Sequence, residues 1–203
     1  MVHTRKVLFI KNSYWLIADL FEAKEQHRYE QYFHLPPGEV AYDCRTGEIS
    51  TQLEAANLLL VHPSAGQLVD QLSVEPGRIF KQGNYYDNPV VKRSWTAAGR
   101  TVIETLAVPF GTARPKVKVE RLPARRNGVE LSAVEATALR IVMEDRVDEI
   151  CLFHNSFNVE GYLDHTGNII AEALLPRKNE PEALEFAGAT HSRDVIVLSN
   201  RRV

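Results

Sequence analysis

Lys6-Val7-Leu8-Phe9-Ile10, then Lys11-Asn12-Ser13, then Tyr14-Trp15-Leu16-Ile17-Ala18-Asp19-Leu20-Phe21: two short apolar runs are held apart by three turn-forming residues. The spacing predicts a β-hairpin. The same rhythm continues outward. His27 to Leu35 ends at Pro36-Pro37-Gly38, a stop for any regular element, and Val40 to Cys44 and Glu48 to Leu53 flank the turn Arg45-Thr46-Gly47. Further strands are expected at Leu58 to Val61, Leu68 to Val74, Val90 to Thr96 and Thr101 to Val108. In Lys116 to Arg121 the alternation sends Val117 and Val119 inward and Lys116, Lys118 and Glu120 outward. The series closes with Leu139 to Met143, Glu149 to Phe153, Gly161 to Asp164, Ile169 to Leu175 and Val195 to Ser199, with a turn at His165-Thr166-Gly167-Asn168.

This pattern predicts an all-β chain, a multi-stranded antiparallel β-sandwich with little helix. One segment competes. Ser132 and Glu135 form a capping box, and Val134, Ala138, Ile141 and Val142 approximate a helical face, yet Leu139, Ile141 and Met143 also alternate as in a strand. The all-β neighbours favour the strand. Residues 1–203 read as one domain, and Leu122 to Gly128, the most loop-like stretch, marks a break between sheets or subdomains.

Of the 203 residues, 44% are hydrophobic and 25% charged, which is globular rather than disordered composition. The net charge of −2 sets aside nucleic acid and anionic membranes as default partners. No apolar run approaches the ~20 residues of a transmembrane helix, and Met1 to Lys6, read as a natural start, lacks a signal peptide's apolar stretch. Cys44 and Cys151 lie far apart without framework spacing, so a disulfide and two buried thiols both stay open. There is no CxxC pair, P-loop, HExxH or GxSxG.

Candidate sites are few. The histidines are His3, His27, His34, His62, His154, His165 and His191; His27 and His34, seven apart, fall on opposite faces of a regular strand, and no ligand triad emerges. No metal, cofactor or catalytic residue is therefore assigned. Asp19 and Glu30 would suit carboxylate catalysis only at a fixed separation, and strand-end acids more often cap turns. Tyr85 and Tyr86 sit in a loop, Arg78 to Pro89, among Gly83, Asn84, Asp87 and Asn88. Rings that stack on sugars, with the Arg78 guanidinium for carboxylates, suit an acidic oligosaccharide; the competing reading has the tyrosines closing the end of the sandwich. Trp15 and Trp95 lie inside strands and are expected in the core. The basic run Arg114, Lys116, Lys118, Arg121, Arg125 and Arg126 reads as a polyanion dock or, by its alternation, as a solvated strand face.

The chain resembles the heparinase II/III family. The resemblance rests on the Arg-led strand Arg5 to Ile10, the Tyr-Trp strand Tyr14 to Asp19 and the strand His27 to Leu35, with looser likeness at Arg78 to Pro89 and Thr101 to Pro109. It implies the C-terminal β-domain of a polysaccharide lyase that cleaves uronate-containing glycans by β-elimination, in a periplasmic or secreted setting. The helical toroid carrying the family's Tyr, His and Asn, and the zinc region of two His and one Asp, would lie upstream of Arg5, so zinc is expected only there. His154-Asn155-Ser156 echoes that zinc region by coincidence. The function expected is a non-catalytic accessory domain completing a substrate cleft or assembly, with an acidic polysaccharide or an upstream helical domain as partner. The alternative is a stand-alone carbohydrate-binding module for acidic polysaccharide, and an enzyme in its own right comes third.

Overall fold

Alternation decides the secondary structure: in the computed structural model the described residues form strands and turns, with no helix among them. Described are residues 1–43, 45–63, 71–126, 129–154, 184–186 and 195–201. The strands are β1 (Val2–Ile10), β2 (Tyr14–His34), β3 (Val40–Asp43), β4 (Glu48–Thr51), β5 (Asn57–Val61), β6 (Gln71–Lys81), β7 (Asn84–Phe110), β8 (Lys118–Arg121), β9 (Ala124–Arg126), β10 (Val129–Leu131), β11 (Ala136–Val142), β12 (Arg146–Phe153), β13 (Leu184–Phe186) and β14 (Val195–Arg201). They divide between two units, Met1–Arg114 and Pro115–Val203.

The first unit is one sheet in the order β1-β2-β7-β5-β4-β3, with β6 also on β7. Two expected pairs of strands turn out to be single long ones. Tyr14 to Phe21 and His27 to Leu35 merge in the 21-residue β2, and Val90 to Thr96 and Thr101 to Val108 merge in the 27-residue β7. A straight strand rises about 3.3 Å per residue, so Phe21 and Tyr29 would stand roughly 26 Å apart. Their ring centroids are 4.8 Å apart, and Phe21 also meets Trp95 at 5.4 Å. The paired ribbon must therefore double back on itself.

The reversal has a visible cause. Ala23 pairs with Gly99 and His27 with Ala97, so β2 takes four residue steps where β7 takes two. Lys24-Glu25-Gln26 of β2 thus span what Ala98 alone spans in β7; they are exposed at the bend, and Gly99 has φ 74°, a left-handed value that a side chain resists. Residues equidistant from Glu25 or Gly99 then face each other across two layers. One layer is β1, Tyr14–Ala23 of β2, Gly99–Phe110 of β7, β5, β4 and β3. The other is His27–His34 of β2, Asn84–Ala97 of β7, and β6. Away from the bend, odd-numbered residues of β2 and those of β7 between Val91 and Ala107 point between them. Tyr29, Trp95 and Ile103 form one buried cluster, with Phe21 against it; Leu35, Ile49, Leu60, Val91 and Ala107 form a second, which Leu72 and Val74 of β6 close. Both expected core tryptophans are here: Trp95 is fully buried and Trp15 packs against the second cluster.

In the second unit β14-β12-β11-β8 make a four-stranded antiparallel sheet, and β10-β9-β13 a smaller one in which β13 runs parallel to β9. Leu122, Ala124, Ala136, Ala138 and the free thiol Cys151 form a buried cluster. The stretch expected as loop, residues 122–128, contains β9, which pairs antiparallel with β10. The Ser132–Glu135 capping box does form, with Ser132 N–H donating to Glu135 Oε2 at 2.9 Å, but it closes a single turn and delivers the chain into strand β11. Cys44, residues 68–70 and the expected elements at 161–164, 165–168 and 169–175 lie outside the described residues.

If Gly99 sets the reversal, Gly99→Ala should cost about 1–2 kcal/mol, the penalty for placing an L side chain in the left-handed region. Urea unfolding should show a lower midpoint with an unchanged slope. An unchanged midpoint would mean that the bend does not need glycine.

Candidate functional site

Five polar residues are buried on the apolar parity of the bent ribbon, Asp19, Gln31, Arg93, Thr101 and Thr105, and all but Thr101 join one set. Asp19 and Gln31 are each six residues from Glu25, and Arg93 and Thr105 six from Gly99, so the fold-over brings each pair together. Gln31 Nε2 donates to Asp19 Oδ2 at 2.7 Å, and its Oε1 accepts from Arg93 Nη1 at 3.1 Å. Arg93 Nη1 also reaches Thr105 Oγ1 at 3.0 Å and the Glu104 carbonyl at 3.3 Å. Thr105 Oγ1 meets His62 Nδ1 at 3.4 Å. Burial holds the Arg93 guanidinium down at about 10, against the support of the Glu104 and Asp19 charges. Burial, then the nearby Arg93 charge, holds the His62 imidazole well below its ordinary range, so it is neutral.

The chain of bonds surfaces at β1. Arg5 grips Asp19 with Nε at 2.7 Å and Nη2 at 2.9 Å, and His3 Nε2–H donates to the same carboxylate at 2.8 Å. The His3 ring lies flat on Phe21, 4.5 Å away and 3° from parallel. Bonding to Asp19 raises the Arg5 guanidinium above its usual range. The zinc that the family resemblance implies does not fit here. Both Asp19 oxygens are each taken by two donors, with a guanidinium seated where a cation would sit, and among the described residues no three His, Cys, Asp or Glu converge as ligands.

The residues singled out for sugar contact lie on a hairpin, not a loop. β6 and β7 pair up to Lys81 and Asn84 around a two-residue turn, Gln82-Gly83, with φ of 51° and 80°. Arg78 stands opposite Asp87, and Phe80 opposite Tyr85. Side-chain alternation therefore separates the two tyrosines: Arg78, Phe80, Tyr85 and Asp87 share one face, and Tyr86 shares the other with Ile79. Phe80 and Tyr85 are 63% and 73% exposed, with ring centroids 5.1 Å apart. Arg78 Nε donates to Asp87 Oδ1 at 3.2 Å. Phe80 was not anticipated; its signal was its place in register with Tyr85, which depends on the turn.

The remaining candidates resolve as structure. Asp19 faces inward, whereas Glu30 lies on the outer face, accepting from Tyr32 and pairing with Lys92 at 3.2 Å, so the two carboxylates do not confront a common space. Arg114 pairs with Glu48, and Lys118 with Glu120, within the basic run. His154 is buried against Thr137, 2.7 Å from its hydroxyl. Burial raises the Cys151 thiol, which makes it a poor nucleophile.

A family model described as heparinase II/III-like, C-terminal, matches residues 1–132. Among solved structures, heparan sulfate lyase HepC from Pedobacter heparinus superposes with a TM-score of 0.61 at 15% identity, covering 76% of this chain and 24% of the lyase. A structure entitled heparinase III gives a TM-score of 0.54 at 13% identity, over 74% of this chain and 23% of that one. The chain thus spans about a quarter of the length of these relatives. No curated protein matches.

The neutral His62 sets a pH dependence. Its ionisation in the fold is depressed below the ordinary 6.5, so below that pH the unfolded chain binds a proton that the folded chain refuses. Stability should be full above pH 6.5 and fall on acidification, by up to about 1.4 kcal/mol per pH unit from this residue, until the depressed value is reached. Thermal unfolding between pH 8 and 5 should show a smaller acid-side loss in His62→Gln; parallel curves would contradict the assignment.

Proposed function

The chain belongs to the heparinase II/III-like, C-terminal family, and on that premise we propose that its Met1–Arg114 unit is a non-catalytic β-sandwich that helps complete the substrate cleft of a polysaccharide lyase, with an upstream helical domain of the same parent as its partner. The observation that supports it is the β6–β7 hairpin face. There two exposed rings, Phe80 and Tyr85, sit beside the guanidinium of Arg78. A tilted aromatic pair offers stacking surface for a sugar ring, and the cation one step along the same face suits a carboxylate or sulfate.

Chemistry is not assigned to this unit. Two of its buried charged groups are held by hydrogen bonds, Asp19 by Arg5, His3 and Gln31, and Arg93, through Nη1, by Gln31 and Thr105. The role is therefore contact with an acidic polysaccharide chain, weak on its own because the Arg78–Asp87 pair is exposed and surface ion pairs contribute only ~0–1 kcal/mol.

Titration calorimetry with acidic oligosaccharides tests this. Tyr85→Ala and Arg78→Ala should each bind roughly two- to tenfold more weakly than the parent, on the scale of an aromatic contact, while Tyr86→Ala, on the opposite face, should bind as the parent does. Equal affinity in all four proteins would remove the hairpin from the cleft. Loss confined to Tyr86→Ala would move the contact to the other face. Tight binding by the isolated chain would favour a stand-alone carbohydrate-binding module.

A further inference from the structure

The hairpin face that carries Phe80 and Tyr85 also carries a carboxylate, which an acidic ligand meets as repulsion. Arg78 and Phe80 alternate along β6, and Tyr85 and Asp87 along β7. The register sets them as two facing pairs: Phe80 opposite Tyr85 near the turn, and Arg78 opposite Asp87 one step nearer the sheet, about 7 Å away. The next pair on this face is Pro76 opposite Pro89, which carries no charge. Ile79, Lys81 and Tyr86 belong to the other face, as does Glu75, which pairs with Lys92. From the prolines to the turn, the face therefore holds one positive and one negative side chain, and these offset each other.

The ion pair is a loose one. Arg78 Nε donates to Asp87 Oδ1 at 3.2 Å, and the two side chains are 74% and 86% exposed. That bond uses the side edge of the guanidinium and leaves the Nη1 and Nη2 edge facing outward for a ligand. Pairs this exposed add little to a fold, so stability is a weak reason for a carboxylate here. Its effect on a ligand has a definite sign. An anion on the Nη edge lies close to the Asp87 carboxylate, and two like charges 4 Å apart in water repel enough to shift an equilibrium roughly fivefold. A sugar ring stacked on Phe80 and Tyr85 meets no such penalty.

We propose that Asp87 is a specificity-determining residue. Its carboxylate offsets Arg78, so the hairpin does not hold a polyanion by charge alone and binds a chain that also supplies a ring to stack. This role rests on the hairpin being the sugar contact proposed above, and it adds the rule by which that contact discriminates. An acidic sugar chain is accepted through its rings, with Arg78 tolerating its carboxylates, whereas dense charge without rings is turned away.

The test compares the full chain with its Asp87→Asn variant, which removes the charge and keeps the size, by following the hairpin amides in nuclear magnetic resonance titrations. Three probes are used: a tetramer of galacturonic acid, its methyl ester, which has the rings without the charge, and inorganic tripolyphosphate, which has the charge without the rings. The acidic tetramer should bind Asp87→Asn roughly three- to fivefold more tightly than the parent at low salt. That gain should vanish at about 1 M salt, where screening acts within roughly 3 Å. The methyl ester should bind both proteins alike, and tripolyphosphate should shift the hairpin amides of the variant at concentrations that leave the parent unmoved. Weaker binding of both tetramers by Asp87→Asn would make Asp87 a strut of the hairpin and overturn the proposal. Equal affinity of the two proteins for the acidic tetramer, or an equal gain with the ester, would overturn it too. These outcomes leave the sugar contact standing as long as Tyr85→Ala and Arg78→Ala weaken binding of the acidic tetramer. If those two variants bind it as the parent does, the contact and the role of Asp87 fall together.

Discussion

The first unit depends on one constraint: β2 and β7, hydrogen-bonded along most of their length, must bend together. Two paired strands cannot reverse at different places without breaking their ladder, and the outer strand of a bend needs more chain than the inner. Lys24-Glu25-Gln26 supply that length to β2, and Gly99 supplies the backbone conformation to β7. From this follow the two layers and the parity that fills the space between them. The stepwise meeting of residues 21 with 29 and 19 with 31 has the same origin.

The parity rule also explains why a buried polar chain runs through an otherwise apolar interior. Asp19 shares its face with Ile17 and Phe21, and Arg93 with Val91 and Trp95. A residue at those positions is buried whether or not it is apolar. Burying charge is costly, and replacing a buried ion pair by apolar groups is often neutral or stabilising. What such bonds do supply is direction. Gln31 can reach Asp19, and Arg93 can reach Thr105, only when the layers are stacked in this register. A slip by one residue would turn these groups outward and leave their partners unsatisfied.

Much of this was legible in the sequence and some was not. The alternation of Lys6 to Phe21 gave the first hairpin, and the turn residues Arg45-Thr46-Gly47 gave another, because local chemistry determines both. The continuity of β2 was hidden: Lys24-Glu25-Gln26 is polar like a loop, and periodicity read in short windows does not distinguish a bend from an end. At Ser132 the capping box was real but closed a turn before a strand, since the following residues alternate. Tyr85 and Tyr86 were read together as neighbours in a loop; once the segment is a strand, adjacent residues point apart and Phe80 becomes the partner of Tyr85. Arg93 is not legible in the sequence, because a charged residue within an apolar alternation reads as exposed until a buried partner is found for it.

Whether the ribbon doubles back is a question that nuclear magnetic resonance answers directly. With the rings of Phe21 and Tyr29 4.8 Å apart between centroids, a nuclear Overhauser effect between their ring protons should be strong, and Phe21 should show a second one to Trp95. In an unbent strand the same two residues would lie roughly 26 Å apart, far beyond the range of the effect. Cross-peaks from Phe21 limited to its neighbours in sequence and its partners across the two ladders, His3 and Thr101, would contradict the folded-over ribbon and the site geometry built on it.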